Sequence, residues 1–259
     1  MMKKAIVIGA SSGIGRGLAK ILVTNNYKVG ITGRRLNLLE ELKAENPKNY
    51  IVRSFNLNDF NSDIENLEEL CKEIGGFDLI IISSGWSEGG EHLDYKIEKQ
   101  TVDTNVNAFI LLADWAFNYF EKQKKGHLVA ISSIAGLRGN HHSPAYSASK
   151  AFQIIYLEGL RHKARHLKLP ITITDIRPGF VKTELVLNGR TFWMATVEKA
   201  CMQIYNAIKN KRRVVYVTKR WVIVAFLVKI IPRSCALFIG LIKAALSLPR
   251  FWLLSSPQK

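Results

Sequence analysis

Short apolar runs rich in β-branched residues recur along this chain, and segments with helical spacing separate them. They lie at residues 5–8, 29–32, 51–55, 79–82, 128–131, 171–176 and 214–217. Because strands that alternate with helices are joined by crossover connections, the pattern predicts a parallel sheet. The runs are apolar on both faces, as expected of strands with helices on each side. We therefore expect a single α/β domain with a doubly wound parallel sheet.

Charge is distributed unevenly along the 259 residues. The chain has 37 Lys and Arg against 21 Asp and Glu, but residues 209–259 contain eleven of these basic residues and none of the acidic ones. Nucleic-acid binding favours positive charge spread over a polar face with interleaved aromatic residues. Here the excess lies among long aliphatic runs. We therefore expect no nucleic-acid partner.

The last residues, 218–259, are predicted to form an apolar helical extension after the α/β domain, which is predicted for residues 1–217. Its two apolar runs, at 221–228 and 235–248, are separated by Pro232. Both are shorter than the roughly 18 to 20 residues that a spanning helix needs. Basic residues and tryptophans without acids favour a segment lying on an anionic bilayer surface. The alternative is that the helices contact a second copy in a homo-oligomer or cover a substrate cleft.

Signals for export and for metal binding are both missing from the sequence. The start of the chain has no long apolar segment followed by a small-residue cleavage site. Cys71, Cys201 and Cys235 form no CxxC pair, which fits a reducing compartment and argues against structural zinc. The histidines lack metal-ligand spacing. We expect no metal ion and a cytoplasmic protein, attached peripherally to the inner face of a membrane if the extension binds there.

A glycine-rich turn directly follows the first apolar run and leads into a helical segment. Glycines let the main chain approach a pyrophosphate, and the amides at a helix N-terminus meet its charge. We expect this turn to bind a dinucleotide through Gly9, Ser11, Ser12, Gly13, Ile14 and Gly15.

The GxxxGxG spacing of this turn resembles the short-chain dehydrogenase/reductase family, whose members have a Rossmann-like fold and interconvert alcohols and carbonyls with NAD(P)(H). Tyr146 and Lys150 form the YxxxK motif of that family, and their spacing of four puts both on one helix face. Ser133 and Asn105 match the remaining active-site positions in order and spacing. The resemblance extends over residues 3–217 and implies a catalytic set of Asn105, Ser133, Tyr146 and Lys150.

The chemistry of carbonyl reduction explains these residue types. Hydride transfer generates an alkoxide that must gain a proton, whereas a free tyrosine has a pKa near ~10. A nearby Lys150 ammonium, with the oxidised nicotinamide, is expected to lower the pKa of Tyr146. Ser133 would hydrogen-bond the substrate oxygen. The resemblance implies that Lys150 also holds the nicotinamide ribose, and that Asn105 holds a water linking Tyr146 to solvent through Lys150.

Residues after the second apolar run favour NADP over NAD. An NAD enzyme normally places an Asp or Glu there, on the adenosine ribose. This chain instead has Gly33 and Arg34, whose guanidinium suits a 2′-phosphate, and Arg16 and Arg35 could add charge. The alternative is that these arginines are surface charges.

Other matched positions extend the expected cofactor site. Asn56 stands where the family commonly has an Asp on the adenine, and Ile82 and Ser83 replace the asparagines of an NNAG motif. These substitutions put details of the cofactor geometry in doubt. A PGxVxT turn, in which the resemblance assigns Thr183 to the nicotinamide carboxamide, comprises Pro178, Gly179, Val181 and Thr183.

The segment after Thr183 corresponds to the variable substrate lid of the family. Its large apolar residues favour a hydrophobic or lipid-like ketone, although they equally fit simple packing on the core. His141 and His142 precede Tyr146 and are expected to border the pocket. We thus predict an NADPH-dependent reductase of a small hydrophobic carbonyl substrate that forms a homo-oligomer. The alternative is a catalytically silent cofactor sensor or scaffold with the same fold.

Overall fold

A seven-stranded parallel sheet forms the centre of the chain. The computed structural model describes residues 2–57, 60–184 and 193–231. The strands are β1 (Lys3–Ile8), β2 (Tyr27–Gly33), β3 (Tyr50–Ser54), β4 (Leu79–Ile82), β5 (Gly126–Ile131), β6 (Ile171–Pro178) and β7 (Val214–Val217). Their order in the sheet is β3-β2-β1-β4-β5-β6-β7. The predicted doubly wound α/β fold is confirmed.

Helices cover both faces of this sheet. In chain order they are α1 (Gly13–Thr24), α2 (Leu36–Glu45), α3 (Phe60–Ile74), α4 (Tyr95–Val102), α5 (Ala108–Gln123), α6 (Pro144–His166), α7 (Val197–Lys209) and α8 (Trp221–Ile230). A π-helical turn, Asp103–Asn107, joins α4 to α5, and a 3-10 turn, Ile134–Leu137, follows β5. Both turns contribute to the site described below.

Each central strand divides its side chains between two hydrophobic cores. In β1, Ala5 and Val7 belong to the core under α1, α2 and α7, whereas Ile6 and Ile8 belong to the core under α3, α5 and α6. This alternation follows from the two-residue period of a strand. It explains why the strands read as continuous apolar runs.

The sheet reverses its winding between β1 and β4, which are direct neighbours. Chain segments leaving these two strands run to opposite sides, which opens a crevice at their carboxyl ends. The glycine turn follows β1, and Ser83 continues from β4 with its amide donating to Ile8 O at 2.9 Å. The fold therefore brings the predicted cofactor residues to one edge of the sheet.

Helix α8 contains the first apolar run of the predicted extension and packs against the α/β domain. Trp221, Ala225 and Val228 are buried. Arg138 donates through Nε to Val228 O at 3.0 Å, which ties the end of α8 to the loop before α6. In the described residues no helix is both long and apolar enough to span a bilayer. The second run, at 235–248, lies outside the described residues, and the domain boundary after 217 stays a prediction.

Candidate active site

A cavity of about 530 Å³ lies at the carboxyl ends of the central strands. It contains both the predicted cofactor residues and the predicted proton donor. The predicted site residues that line it are Gly9, Ser11, Ser12, Gly13, Ile14, Arg34, Asn56, Ser133, Tyr146, Lys150, Pro178, Gly179, Val181 and Thr183. Gly15 and Asn105 lie behind this lining.

The glycine turn is shaped for close main-chain approach. The amides of Gly9 and Ala10 both donate to Thr32 O, at 3.0 and 2.9 Å, which ties the turn to the end of β2. Gly9 has φ of +82°, and a Cβ there would lie 2.7 Å from Ser84 N. A Cβ on Gly15 would lie 2.1 Å from Gly9 O. Only glycine fits at these positions, so the turn can present its amides directly to a ligand.

Two arginines stand at the end of β2 where the adenosine ribose of a dinucleotide would lie. The Arg34 guanidinium stacks 5.6 Å from the centre of the Trp86 ring. Arg35 donates to Ser11 Oγ at 3.1 Å and to Ser12 Oγ at 2.7 Å, and it pairs with Glu184 at 2.8 Å. Both arginines line the cavity.

Arg16 does not join this cluster. Its guanidinium donates to Leu38 O at 2.9 Å and lies within 3.5 Å of Glu45 Oε1, so it ties α1 to α2. The expectation that Arg16 adds charge at the cofactor site is not supported by this placement. The guanidinium also lies 3.5 Å from Ser11 O of the glycine turn, but Arg16 is not among the residues that line the cavity.

Helix α6 presents Tyr146 and Lys150 to the cavity. Pro144 at its first position has a fixed φ suited to helix initiation. The Lys150 ammonium lies 5.8 Å from the centre of the Tyr146 ring. It donates to Ile131 O at 3.0 Å and to Gln153 Oε1 at 2.9 Å. Two of the three ammonium protons are thus bound by protein.

Ser133 begins the 3-10 turn after β5 and lies close to Tyr146. Its Oγ accepts from Ala135 N at 3.0 Å, and the side chain also hydrogen-bonds the Tyr146 phenol. The turn packs tightly on α6, because a Cβ on Gly136 would lie 2.6 Å from the carbonyl carbon of Lys150. Ser133 and Tyr146 are therefore held together by main-chain packing.

Asn105 is fully buried in the π-helical turn. Its Oδ1 accepts from Trp86 N and its Nδ2 donates to Trp86 O, both at 2.8 Å. The same Nδ2 donates to Ser149 Oγ at 3.0 Å. The main-chain oxygen of Asn105 accepts from Gln153 Nε2 at 2.8 Å. Asn105 thereby fixes the loop after β4 against α6.

Burial acts in opposite directions on the two ionisable groups of this site. It raises the pKa of Tyr146, and the hydrogen bond with Ser133 works against that increase. Burial lowers the pKa of Lys150 to about 8, whereas the negative charge of Asp175 works to raise it. The protein alone does not acidify the phenol. The lowered pKa of Tyr146 stays a prediction for the complex with oxidised cofactor.

A buried ion pair under the site was not anticipated from the sequence. Asp175 and Arg177 on β6 are 2.7 Å apart, and the two residues are almost fully buried. Ser132, next to Ser133, hydrogen-bonds Asp175 Oδ1 and donates to Ile176 O at 3.0 Å. The pair fixes the strand end that carries Ser133. Its sequence signal is weak, because the two residues are simply i and i+2 on a strand.

The remaining predicted residues fall into three groups. Thr183 meets the glycine turn, since a Cβ on Gly13 would lie 3.2 Å from Thr183 Cγ2. His141 and His142 are exposed and do not line the cavity. The centre of the apolar lid, residues 185–192, lies outside the described residues. Among the described side chains, no group of His, Cys, Asp and Glu could hold a metal ion.

The lining fits a nicotinamide dinucleotide. The glycine turn leaves room for a pyrophosphate. Gly9 and Gly13 have positive φ angles, which allow the main chain to bend tightly there. Arg34, Thr183, Tyr146 and Lys150 all line this one cavity. The third ammonium proton of Lys150 is available to a ribose hydroxyl. The lining therefore combines the cationic, main-chain and hydroxyl groups that such a molecule requires.

Comparison with known proteins agrees with this geometry. The family described as short chain dehydrogenase matches residues 3–191. An uncharacterized oxidoreductase of Myxococcus xanthus is 37% identical over 188 residues, which make up 71% of this chain and 74% of that protein. Dehydrogenase/reductase SDR family member 7B of Xenopus tropicalis is 30% identical over 197 residues, covering 72% of this chain and 63% of that protein.

Solved structures show the same fold. ElxO with NADP bound superposes with a TM-score of 0.74 at 22% identity, covering 84% of this chain and 97% of that chain. A short chain dehydrogenase/reductase of Burkholderia phymatum in complex with NAD gives 0.79 at 17% identity, covering 87% and 92%. The chain therefore belongs to the short-chain dehydrogenase family, and it is an NAD(P)-dependent oxidoreductase acting on alcohol and carbonyl groups.

Proposed function

We propose that this chain is an NADPH-dependent reductase of a hydrophobic carbonyl compound. The observation that carries the cofactor preference is the pair of guanidinium groups at the end of β2. Arg34 and Arg35 both line the cavity, and β2 ends in Gly33 without a carboxylate. A 2′-phosphate would gain charge-assisted hydrogen bonds from them, whereas the two hydroxyls of NAD would lack their usual carboxylate acceptor.

In the proposed reaction, the bound reduced dinucleotide supplies a hydride to the carbonyl carbon. Ser133 donates a hydrogen bond to the carbonyl oxygen, where negative charge develops. Tyr146 transfers its phenolic proton to that oxygen and completes the alcohol. The Lys150 ammonium stabilises the negative charge that remains on Tyr146. Asn105 and the ion pair of Asp175 and Arg177 hold these groups in place.

Aromatic side chains next to Gly179 and Val181, which line the cavity, support a hydrophobic substrate. The rings of Phe180 and Trp193 lie 5.6 and 6.0 Å from the ring of Trp221. Phe180 and Met194 keep 39% and 36% of their surface exposed. Apolar substrate surface buried there would contribute roughly 25 cal/mol per Å². A ketone or aldehyde with an aliphatic or aromatic body suits this apolar surface better than a sugar.

The cofactor proposal is tested by nucleotide binding to Arg34→Ala and Arg35→Ala, with Arg165→Ala on the far end of α6 as the matched control. We expect the Kd for NADPH to rise about tenfold or more in both variants, because each removes a hydrogen bond to a charged group. The Kd for NADH should change less than about threefold. Tighter binding of NADH than NADPH by the unmodified chain, or equal weakening of both nucleotides, would refute the preference.

Attachment of α8 to an anionic membrane surface is also part of the proposal. The exposed face of this helix is apolar, with exposures between 49% and 62% for Val222, Ile223, Phe226, Leu227 and Ile230. These positions recur at helical spacing and form one stripe. Such a contiguous exposed stripe is typical of interaction surfaces.

Positive charge surrounds this stripe. Lys219 and Arg220 precede α8, Lys229 lies in its last turn, and residues 209–259 contain no Asp or Glu. Anionic headgroups favour this combination of apolar and cationic groups. Helix α8 also packs on Gly179, which lines the cavity, since a Cβ on Gly179 would lie 2.1 Å from the Trp221 ring. A substrate dissolved in the membrane would therefore enter the cavity directly from the bilayer.

Flotation with vesicles of phosphatidylcholine, with and without phosphatidylglycerol, tests the attachment. The full chain should float with anionic vesicles, the double variant Ile223→Ser/Phe226→Ser should not, and Ile155→Ser, at an exposed apolar position of α6, should behave as the unmodified chain. No flotation of the full chain would contradict the proposal. If the full chain does not float but has the mass of a dimer, and the double variant has the mass of a monomer, α8 would instead be assigned to contact with a second copy.

A further inference from the structure

Gln153 connects two residues of the candidate active site through its side-chain amide. It lies one turn after Lys150 on α6 and is 2% exposed. Its Nε2 donates to the main-chain oxygen of Asn105 at 2.8 Å, and its Oε1 accepts from Lys150 Nζ at 2.9 Å. The chemistry of the partners fixes the orientation of this amide, because a carbonyl only accepts and an ammonium only donates.

The π-helical turn makes the Asn105 carbonyl available to Gln153. In this turn the amide of Ala108 donates to Asp103 O, five residues back, which displaces the regular helical hydrogen-bond pattern. Such turns occur frequently at functional sites. The carbonyl of Asn105 then points to α6, where Gln153 binds it.

Lys150 depends on neutral partners for most of its stabilisation. Its ammonium is almost fully buried and donates to two oxygens, Ile131 O on β5 and Gln153 Oε1 on α6. The groups that face it from the surrounding elements are the Tyr146 phenol on α6, the Asn105 turn, and Asp175 on β6, which is paired with Arg177. Loss of one neutral acceptor would therefore matter for a buried cation.

We propose that Gln153 is a positioning residue, which joins the Lys150 ammonium to the Asn105 carbonyl and directs the remaining ammonium proton toward Tyr146 and the cofactor. A side-chain amide carries no net charge and exchanges no proton in this role. Gln153 therefore links the Asn105 carbonyl and the Lys150 ammonium through two direct hydrogen bonds. The inference rests on the proposed roles of Tyr146 and Lys150.

Two substitutions change this link in opposite electrostatic directions. Gln153→Glu keeps the shape but adds a negative charge beside the ammonium, which favours its protonated form. Gln153→Met keeps the length but removes the acceptor, which disfavours that form. A general packing defect would move both variants the same way. The matched control is Gln100→Glu, the same chemical change at an exposed position of α4.

The first readout is the ¹³Cε titration of lysine-labelled protein without cofactor, with the Lys150 signal assigned by its loss in Lys150→Arg. The unmodified chain and Gln100→Glu should show this lysine titrating at about 8. We expect the Lys150 midpoint to rise by about one pH unit or more in Gln153→Glu and to fall in Gln153→Met. Because no cofactor or turnover is needed, this result is independent of the proposed function.

The second readout is the pH dependence of kcat with NADPH. Reduction requires protonated groups, so activity falls as pH rises through the pKa of Lys150 in the complex. The pH at which activity falls should be higher in Gln153→Glu and lower in Gln153→Met. Unchanged midpoints, or shifts in the same direction in both variants, would overturn the positioning role. An inactive parent chain with the expected lysine titrations would instead count only against the proposed function.

Discussion

Arg35 pairs with Glu184 at 2.8 Å across the mouth of the cavity, although the two residues are 149 positions apart in the chain. The same guanidinium also binds the hydroxyls of Ser11 and Ser12 in the glycine turn. The pair lowers the pKa of Glu184 through a hydrogen bond from Arg35. A cation proposed for the 2′-phosphate thus already has an anionic partner.

Replacing Glu184 by Gln should therefore strengthen NADPH binding. Both side chains of the pair are about half exposed, so the competing interaction is weak, of order 0.2–1 kcal/mol. We expect the Kd for NADPH to fall by about two- to fivefold, with little change for NADH, in a fluorescence titration at low salt. Glu40→Gln on α2 is the control. Weaker NADPH binding in Glu184→Gln would show that this carboxylate supports the cofactor site.

The stability of the chain should fall in mild acid because of His127. This residue is buried on β5 with its Nε2 2.8 Å from Thr174 Oγ1, and burial lowers its pKa to about 4. Since the unfolded state gains a proton below pH 6.5 and the folded state does not, stability is lost as pH falls toward 4. The expected loss between pH 7 and pH 5 is about 2 kcal/mol.

Chemical denaturation of the chain and of His127→Gln at both pH values measures this loss. The unfolding free energy of His127→Gln should differ less between pH 7 and pH 5. The control variant His162→Gln, at an exposed position, should keep the full difference. An identical pH dependence in His127→Gln would mean that other groups cause the acid sensitivity.

Gly136 should tolerate no side chain, whereas Gly139 should. A Cβ on Gly136 would lie 2.6 Å from Lys150 C and 2.7 Å from Ala151 N, which are main-chain atoms of α6. A Cβ on Gly139 would meet nothing within 4 Å. We expect Gly136→Ala to lose about 1–3 kcal/mol of unfolding free energy and most activity, because overpacking pushes Ser133 from α6. Thermal unfolding with Gly139→Ala as control checks this, and equal melting temperatures would contradict the packing.

The apolar pattern of the sequence predicted the strands well, but not their ends. The run at residues 79–82 coincides with β4, which is buried on both faces. Strand β1 begins at Lys3, because Lys3 and Lys4 pair with β2 although they are polar. Strand β6 continues to Pro178 through its pairing with β7. Register with a neighbouring strand sets these ends, and hydropathy does not report it.

The candidate site was predictable where spacing along the chain carries the information. Tyr146 and Lys150 are four apart, and the glycine turn is contiguous. Gln153 shares the helix face of Lys150, so the sequence contained a signal for it. Its partner Asn105 is 48 residues away. Contacts of that kind, like the Arg35–Glu184 pair, depend on the folded chain and were missed.

The most direct test of the central claim is NADPH oxidation by the purified chain and by Tyr146→Phe. A panel of ketones and aldehydes with increasing apolar bodies serves as substrate. We expect turnover by the unmodified chain and a loss of roughly 10²-fold or more in kcat for Tyr146→Phe, because removing a general acid costs that much. The Kd for NADPH should stay within about twofold. Tight NADPH binding with equal turnover in both proteins would contradict Tyr146 as the proton donor.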